Sequence, residues 1–165
     1  MAKVVNIVTD MNVLHQSSSA VSKEEAGALK QKLMGIMLLD NMNGVRKRGL
    51  AAIQLGIAKR ALVLRLYDES HISSNGKPHG TGKLLVMFNP VFVALSESKV
   101  ENYEGCLSVR GHYIVERYEH ISVNFDDDKM TRRTITLTGI NAFTAQHEIN
   151  HLDGITIADC GRPAD

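Results

Sequence analysis

Apolar residues recur at steps of three and four after residue 22, at Ala26, Leu29, Leu33, Ile36 and Met37, and this spacing predicts a helix with one core-facing stripe. Ser22-Lys23-Glu24-Glu25 in front of it matches a capping box, Ser22 accepting from the Glu25 amide while the carboxylate reaches back, and Gly44 is the expected stop. The methionines of this stretch read as core filler. Residues 1–10 read as a short strand or extended lead-in and Gln16-Ser17-Ser18-Ser19 as a loop. From Ala61 the period shortens and β-type residues dominate. Strands are predicted at 61–67, 84–88, 113–115, 120–125 and 134–137, with a polar excursion at 73–78. Asn89-Pro90 should interrupt the second, and Val91-Phe92-Val93-Ala94-Leu95 resumes it as a new strand or after a bulge. The acidic run Asp126-Asp127-Asp128-Lys129 lacks the glycine and distal glutamate of a calcium loop and reads as a solvated hairpin tip. A second helix is expected from Gly139-Ile140 to Leu152, ended by Gly154.

Composition narrows the setting. A chain of 165 residues with 44% hydrophobic content suits one domain with a real core. Nineteen basic against eighteen acidic residues leave a net charge of +1, which offers no electrostatic footprint for nucleic acid or an anionic membrane. The longest apolar block, Leu33 to Leu39, ends at Asp40 and is too short to span a bilayer, and the first ten residues do not resemble a signal peptide, so a soluble protein is expected. Two cysteines make no disulfide framework, and a reducing compartment is the simpler expectation.

The chemistry concentrates in Gln146-His147-Glu148-Ile149-Asn150-His151-Leu152-Asp153-Gly154. On a helix, His147 and His151 lie one turn apart on the same face and can share a metal ion, with Glu148 beside them as a base outside the coordination sphere. The same spacing also arises on a polar helix with no ligand. Ile140, Phe143 and Thr144 fall on nearly the same face as His147, where they either wall a side-chain pocket or pack the helix on a sheet. Cys106 admits three readings: a buried structural thiol, a nucleophile paired with a histidine, or the third ligand of a two-His, one-Cys site that keeps a fourth position open. Cys160 has no comparable neighbours. In Gly49-Leu50-Ala51-Ala52-Ile53-Gln54, small residues surround one amide able to donate to a carbonyl oxygen, a pattern that many packed turns share.

Taken in order, Gly49-Leu50-Ala51-Ala52-Ile53-Gln54, Glu104-Gly105-Cys106-Leu107-Ser108 and the helical segment 146–154 resemble the three motifs of the peptide deformylases. The likeness runs through most of the chain, including the amino-terminal helix, the strand region and Val115-Glu116-Arg117. It implies that Cys106, His147 and His151 hold one divalent metal ion, commonly iron(II), with zinc, nickel or cobalt able to replace it. It assigns Glu148 as general base and acid, and Gln54 with the Leu107 amide as the oxyanion-stabilising pair. Gly49 and the segment leading into it would pair with the substrate as an added strand. Glu104 and Gly105 would join the substrate site, and Ile140, Phe143 and Thr144 the pocket for a methionine side chain. The implied reaction removes the formyl group from the N-formylmethionine of new polypeptides, near the ribosome exit, by a monomer in the cytoplasm of a bacterium or phage-infected host. A non-catalytic metal or peptide binder and a zinc endopeptidase are the competing functions.

Departures from the family pattern are Lys47 in place of a further glycine, Arg48 in place of an apolar residue, and Asn150 in place of an aspartate. Only 14 residues follow His151, too few for the full carboxy-terminal helix of many bacterial members. The fold expected is α+β, with mixed or antiparallel β-sheets packed around a central metal-binding helix carrying His147-Glu148-Ile149-Asn150-His151, plus an N-terminal helix.

Overall fold

In the computed structural model, which describes residues 6–39 and 47–164, the chain alternates short helices with two antiparallel sheets. Helices α1 (Met11–Leu14) and α2 (Lys23–Leu39) come first, then strands β1 (Gly49–Ala51), β2 (Ala61–Leu66), β3 (Lys83–Leu95), β4 (Lys99–Cys106), β5 (Val109–Tyr118), β6 (His120–Asp126) and β7 (Arg132–Thr138). Helix α3 (Gly139–Leu152), helix α4 (Ile157–Cys160) and strand β8 (Arg162–Pro163) complete the described residues. One sheet has the order β1-β2-β3-β6-β7 and the other β4-β5-β8, so β1 and β4 each lie at a sheet edge.

Strand β2 explains the centre of the molecule. Its run Ala61-Leu62-Val63-Leu64 is buried on both faces, as a continuous apolar strand must be. Leu62 and Leu64 join Ile53, Met87, Val123 and Phe125 and the α3 residues Ala142, Ala145, Ile149 and Leu152. Ala61 and Val63 face the other way, with Leu50, Val86 and Phe88, onto Leu29, Leu33 and Met37 of α2. Each of these fully buried Leu and Met side chains is worth about 1.5–3 kcal/mol of transfer free energy, which holds the sheet between the two helices.

The start of α2 follows the expected box in one half. The Glu25 carboxylate accepts from both the amide and the hydroxyl of Ser22 (3.1 and 2.9 Å), whereas the Glu25 amide donates to the Ser22 carbonyl rather than to its side chain. Glu25 is also paired with Lys59 at 2.9 Å. The expected stop at Gly44 lies outside the described residues. Of the two readings of the first ten residues, residues 6–10 follow the lead-in rather than the strand, and 1–5 lie outside the described residues: the Val8 amide donates to the Gln54 carbonyl, and α1, which the hydrophobic pattern did not indicate, starts after Asp10 caps it.

Strand β3 runs through Asn89-Pro90 and resumes after a bulge, the second of the two expected outcomes. The register shifts between Phe88 and Val91, Asn89 adopts φ 51°, and its side chain bonds both the amide and the carbonyl of Val21 and the Asp126 carboxylate. The bulge absorbs the proline and lets one strand pair with β2 before it and β6 after it. Strand β4 was not anticipated, and residues 113–115 prove to be the middle of the longer β5.

Helix α3 packs against β1, β2, β6 and β7 of the larger sheet and β5 of the smaller. Two side-chain amides lock it in place. Asn141 bonds both the amide and the carbonyl of Tyr67, and Gln146 does the same with Tyr118. Gly139 (φ 57°) admits the turn into the helix, and Gly154 (φ 74°) ends it where a Cβ would lie 2.5 Å from the His15 carbonyl oxygen. Among the described residues no helix is long and apolar enough to cross a membrane.

Candidate metal centre

Two elements converge on one point. Cys106 ends β4, whose even positions Asn102, Glu104 and Cys106 are less exposed than their odd neighbours and turn toward the interior. His147 and His151 lie one turn apart on α3, with ring centroids 5.2 Å apart. One potential ligand atom from each of Cys106, His147 and His151 lies within 4.8 Å of the others, and Cys106 Sγ is 3.5 Å from His151 Nε2. A tetrahedral ion with bonds of about 2.0–2.3 Å wants its ligand atoms about 3.5 Å apart. One thiolate and two imidazoles suit zinc, iron, cobalt or nickel rather than a hard, oxygen-seeking cation.

The candidate ligand atoms are held from behind. His147 Nδ1 bonds Glu104 Oε1 at 2.9 Å, which leaves Nε2 as the ring's free donor atom. Arg117 grips both oxygens of Glu104 at 2.8 Å each, and the Asn102 amide adds a bond to Oε2 at 3.0 Å. Four donors therefore fill the carboxylate's roughly four acceptor positions. The Glu104 side chain is thereby taken up in orienting His147. Arg117 also donates to Asn150 Oδ1, so the departure at position 150 keeps the hydrogen bond and gives up the charge. Asn102, Ser108 and Arg117 are site residues to which sequence reasoning gave no role.

Gln54 closes a second side. Its Oε1 accepts from the Ala51 amide at 3.0 Å, and its Nε2 lies 3.2 Å from Ser108 Oγ and 3.8 Å from Cys106 Sγ. The amide group is thus turned toward the ligand cluster by the short 3-10 turn Ala52–Leu55 that follows β1. Leu107 sits next to Cys106 in the two-residue turn from β4 to β5, its side chain half exposed. Gly105 is exposed, and a Cβ there would stand 3.1 Å from the His112 ring, which stacks on Tyr103.

Glu148 is 4% exposed, and its Oε1 meets no hydrogen-bond partner among the described residues. It packs under Gly49 so closely that a Cβ on Gly49 would lie 2.7 Å from both Glu148 Cγ and Oε2. Phe143 and Ile140 are half-buried on the preceding turns of α3, and Thr144 is buried with its hydroxyl donating to the Ile140 carbonyl.

The electrostatics separate these groups. Burial works against the charge on Glu104, but the bonds from Arg117 and His147 prevail and hold it down at about 2. Burial pushes Glu148 up to about 7. Burial likewise opposes a charge on His147, yet the neighbouring Glu148 carboxylate and the bonds to Cys106 and Glu104 raise it to about 10. Burial and then the charges of His147 and Arg117 push His151 down to about 3, so that ring stays neutral. A cavity of about 420 Å³ between Tyr67, His71, Thr81 and Asn141 shares no lining residue with the ligand cluster.

Comparison with known proteins agrees over the whole length. The family profile described as polypeptide deformylase matches residues 1–165. The peptide deformylase of Rhizobium meliloti is 34% identical over 148 residues, covering 89% of this chain and 78% of that one. That of Thermus thermophilus is 37% identical over 122 residues, which span 72% of this chain and 63% of the relative. Among solved structures, a probable peptide deformylase from synechococcus phage S-SSM7 superimposes with a TM-score of 0.77 at 33% identity, covering 95% of this chain and 99% of that one. A class I type b peptide deformylase from Acinetobacter baumannii, bound to Met-Ala-Ser, gives 0.78 at 25% identity, covering 97% and 99%. With the whole chain matched by the profile and the fold shared with solved members, this protein belongs to the polypeptide deformylase family.

Proposed function

We propose that this protein is a metal-dependent hydrolase that removes the formyl group from N-formylmethionyl peptides, working as one catalytic domain. The observation that carries the reading is the meeting of Cys106, His147 and His151 beside a buried, partly unpaired Glu148 carboxylate. Iron(II) is the proposed resident ion, with zinc, nickel or cobalt as substitutes, held by Cys106 Sγ and the two imidazoles. When bound, a divalent ion of this kind polarises a carbonyl oxygen and makes a water molecule acidic near neutral pH.

The remaining work falls to the chain's own groups. Glu148, which burial pushes up to about 7 in the metal-free site, stands where it can take a proton from water and return it to the departing amine. Gln54 Nε2 and the Leu107 amide flank Cys106 and would donate to the formyl oxygen as negative charge develops on it. Ser108 and the Ala51 amide fix the Gln54 side chain so that it needs no rearrangement. The peptide would lie extended between the edges of β1 and β4, pairing with the backbone at Gly49 and Gly105. The A. baumannii relative solved with Met-Ala-Ser supports a peptide of this kind. Ile140, Phe143 and the methyl of Thr144, whose hydroxyl is already used, would receive the methionine side chain.

The test is formate release from a formyl-Met-Ala-Ser peptide by anaerobically metal-loaded protein. Turnover is expected, with none from a Glu148→Ala variant that keeps its metal. No formate above that control overturns the proposal.

A further inference from the structure

Outside the metal centre, a second cation is buried. Arg65 follows the apolar run of β2 and is 3% exposed, and the described residues that accept from its guanidinium are three backbone carbonyls rather than a carboxylate. Nε donates to Lys47 O at 2.9 Å, Nη1 to Thr81 O at 2.6 Å and Nη2 to Met37 O at 3.2 Å. A charge taken so far out of water is costly unless it is hydrogen-bonded, and here each of the three guanidinium nitrogens donates to a carbonyl from a different segment. One of them, Met37 O, belongs to the last turn of α2, where the helix dipole favours a cation.

Those three segments are not equivalent. Thr81 lies in the loop returning to β3, and that loop comes close only because residue 82 is glycine: a Cβ there, at φ +61°, would stand 2.9 Å from Arg65 Cγ and 2.8 Å from Leu66 O. Lys47 leads directly into β1. The Arg65 amide donates to Arg48 O at 2.7 Å, and Leu64 pairs with Gly49, so backbone and side chain of consecutive β2 residues carry the ladder past the end of β1. β1 has only β2 as its neighbour in the sheet, and its place is set by that pairing, by packing on α2 and α3, by the contact of Gly49 with Glu148 and by this anchorage at its entry.

We propose that Arg65 is a positioning residue for the peptide-docking edge: its guanidinium holds the entry to β1 against the end of α2 and the 67–82 loop, so that β1 is straight and in place before a peptide pairs with it. The peptide-docking role of β1 rests on the function proposed above. A pre-set edge spares the complex the cost of ordering that strand on binding. The clamp therefore bears on the affinity for substrates that extend along β1 and only weakly on the chemical step.

The experiment uses Arg65→Met and Arg65→Lys in the metal-loaded full chain. For Arg65→Met, KM for formyl-Met-Ala-Ser is expected to rise about tenfold with kcat within about threefold, while the kinetics of formyl-methionine amide, which cannot extend along the strand, change little. Arg65→Lys keeps a cation that spans fewer carbonyls, so its KM should fall between those of the unmodified protein and Arg65→Met. Independently of activity, hydrogen exchange in Arg65→Met should quicken at least tenfold in a peptide covering residues 47–51 and stay unchanged in one covering α3, with the metal content intact. Unaltered exchange at 47–51 overturns the proposal, as does a loss of kcat with unchanged KM. Equal acceleration across the whole chain would mark Arg65 as a general stabiliser and also overturns it. If the unmodified protein releases no formate, the deformylase reading fails while the exchange measurement still decides the clamp.

Discussion

Replacing Gly49 with alanine tests how tightly the edge strand β1 and the buried carboxylate are fitted to each other. The added Cβ would lie 2.7 Å from Glu148 Cγ and Oε2, and 3.0 Å from Cδ. Ordinary contacts between such atoms are about 3.5–4.0 Å, so either the carboxylate or β1 must give way by about 1 Å. The end of a glutamate side chain is normally free to swing aside, but here it is 4% exposed, and β1 is fixed by its pairing to β2. Overpacking of this kind costs about 1–3 kcal/mol of stability, and a catalytic group displaced by about 1 Å can lose about a hundredfold in rate. The assay is kcat/KM for formate release, with bound metal and the thermal midpoint measured on the same sample. Gly49→Ala should lose about a hundredfold in activity and keep its metal, since Cys106, His147 and His151 are not touched. In a Glu148→Gln background, where the carboxylate is already gone, the same substitution should cost no further activity while still lowering the midpoint. Full activity in Gly49→Ala, or an equal loss in both backgrounds, would refute the coupling.

Other expectations follow from the groups behind the ligands. Glu104→Gln should weaken metal binding about 10–100-fold in competition with a chelating dye, because the oriented imidazole loses its charged partner; unchanged affinity would contradict that role. Glu104 sits at about 2 in the folded protein against 4.5 ordinarily, so its contribution of about 3 kcal/mol is present above pH 4.5 and is lost as the pH falls toward 2. Urea unfolding of the metal-free protein should show that loss on acidification, and Glu104→Gln should flatten it. His147, raised to about 10 without metal, carries a proton at neutral pH that must leave on binding, so metal affinity should climb about tenfold per pH unit from 6.5 to 8; a flat profile would contradict it. Gln54→Ala should lower kcat about 10²–10³-fold at unchanged metal content, and a change confined to KM would argue against an oxyanion role.

Helix α3 was legible because its signals are local. Gly139 and Gly154 both need positive φ, and the His147, His151 spacing needs only one helical turn. Strand β4 was not, for a physical reason. Reading strands by alternation assumes an apolar inner face, but the inner face of β4 offers Asn102, Glu104 and Cys106 to the metal centre, so its pattern looks polar on both sides. Arg117, cited only within the family likeness, was given no role for the same cause: it occupies a buried position of β5 two residues after Val115, where alternation alone would ask for another apolar side chain. The signal that could have found it is an arginine in register with a buried hydrophobe, opposite a strand with a spare carboxylate. Asn89-Pro90 left two outcomes open, a new strand or a bulge, because the choice depends on distant partners, Val21 and Asp126, which no local pattern contains. Arg65 closes an apolar run, where a charged residue ordinarily marks the solvent-facing end of a strand, and the acceptors that bury it lie on three other segments.

The central claim is that one ion held by Cys106, His147 and His151, with Glu148 beside it, performs the reaction. The most direct measurement is an anaerobic titration of the metal-free protein with iron(II), following formate release from formyl-Met-Ala-Ser. Activity should rise linearly to one equivalent and then stop, be absent at every point in Cys106→Ser, and be absent in a Glu148→Ala protein that still takes up one equivalent. Formate release by the metal-free protein, or undiminished release by Cys106→Ser, would contradict the account.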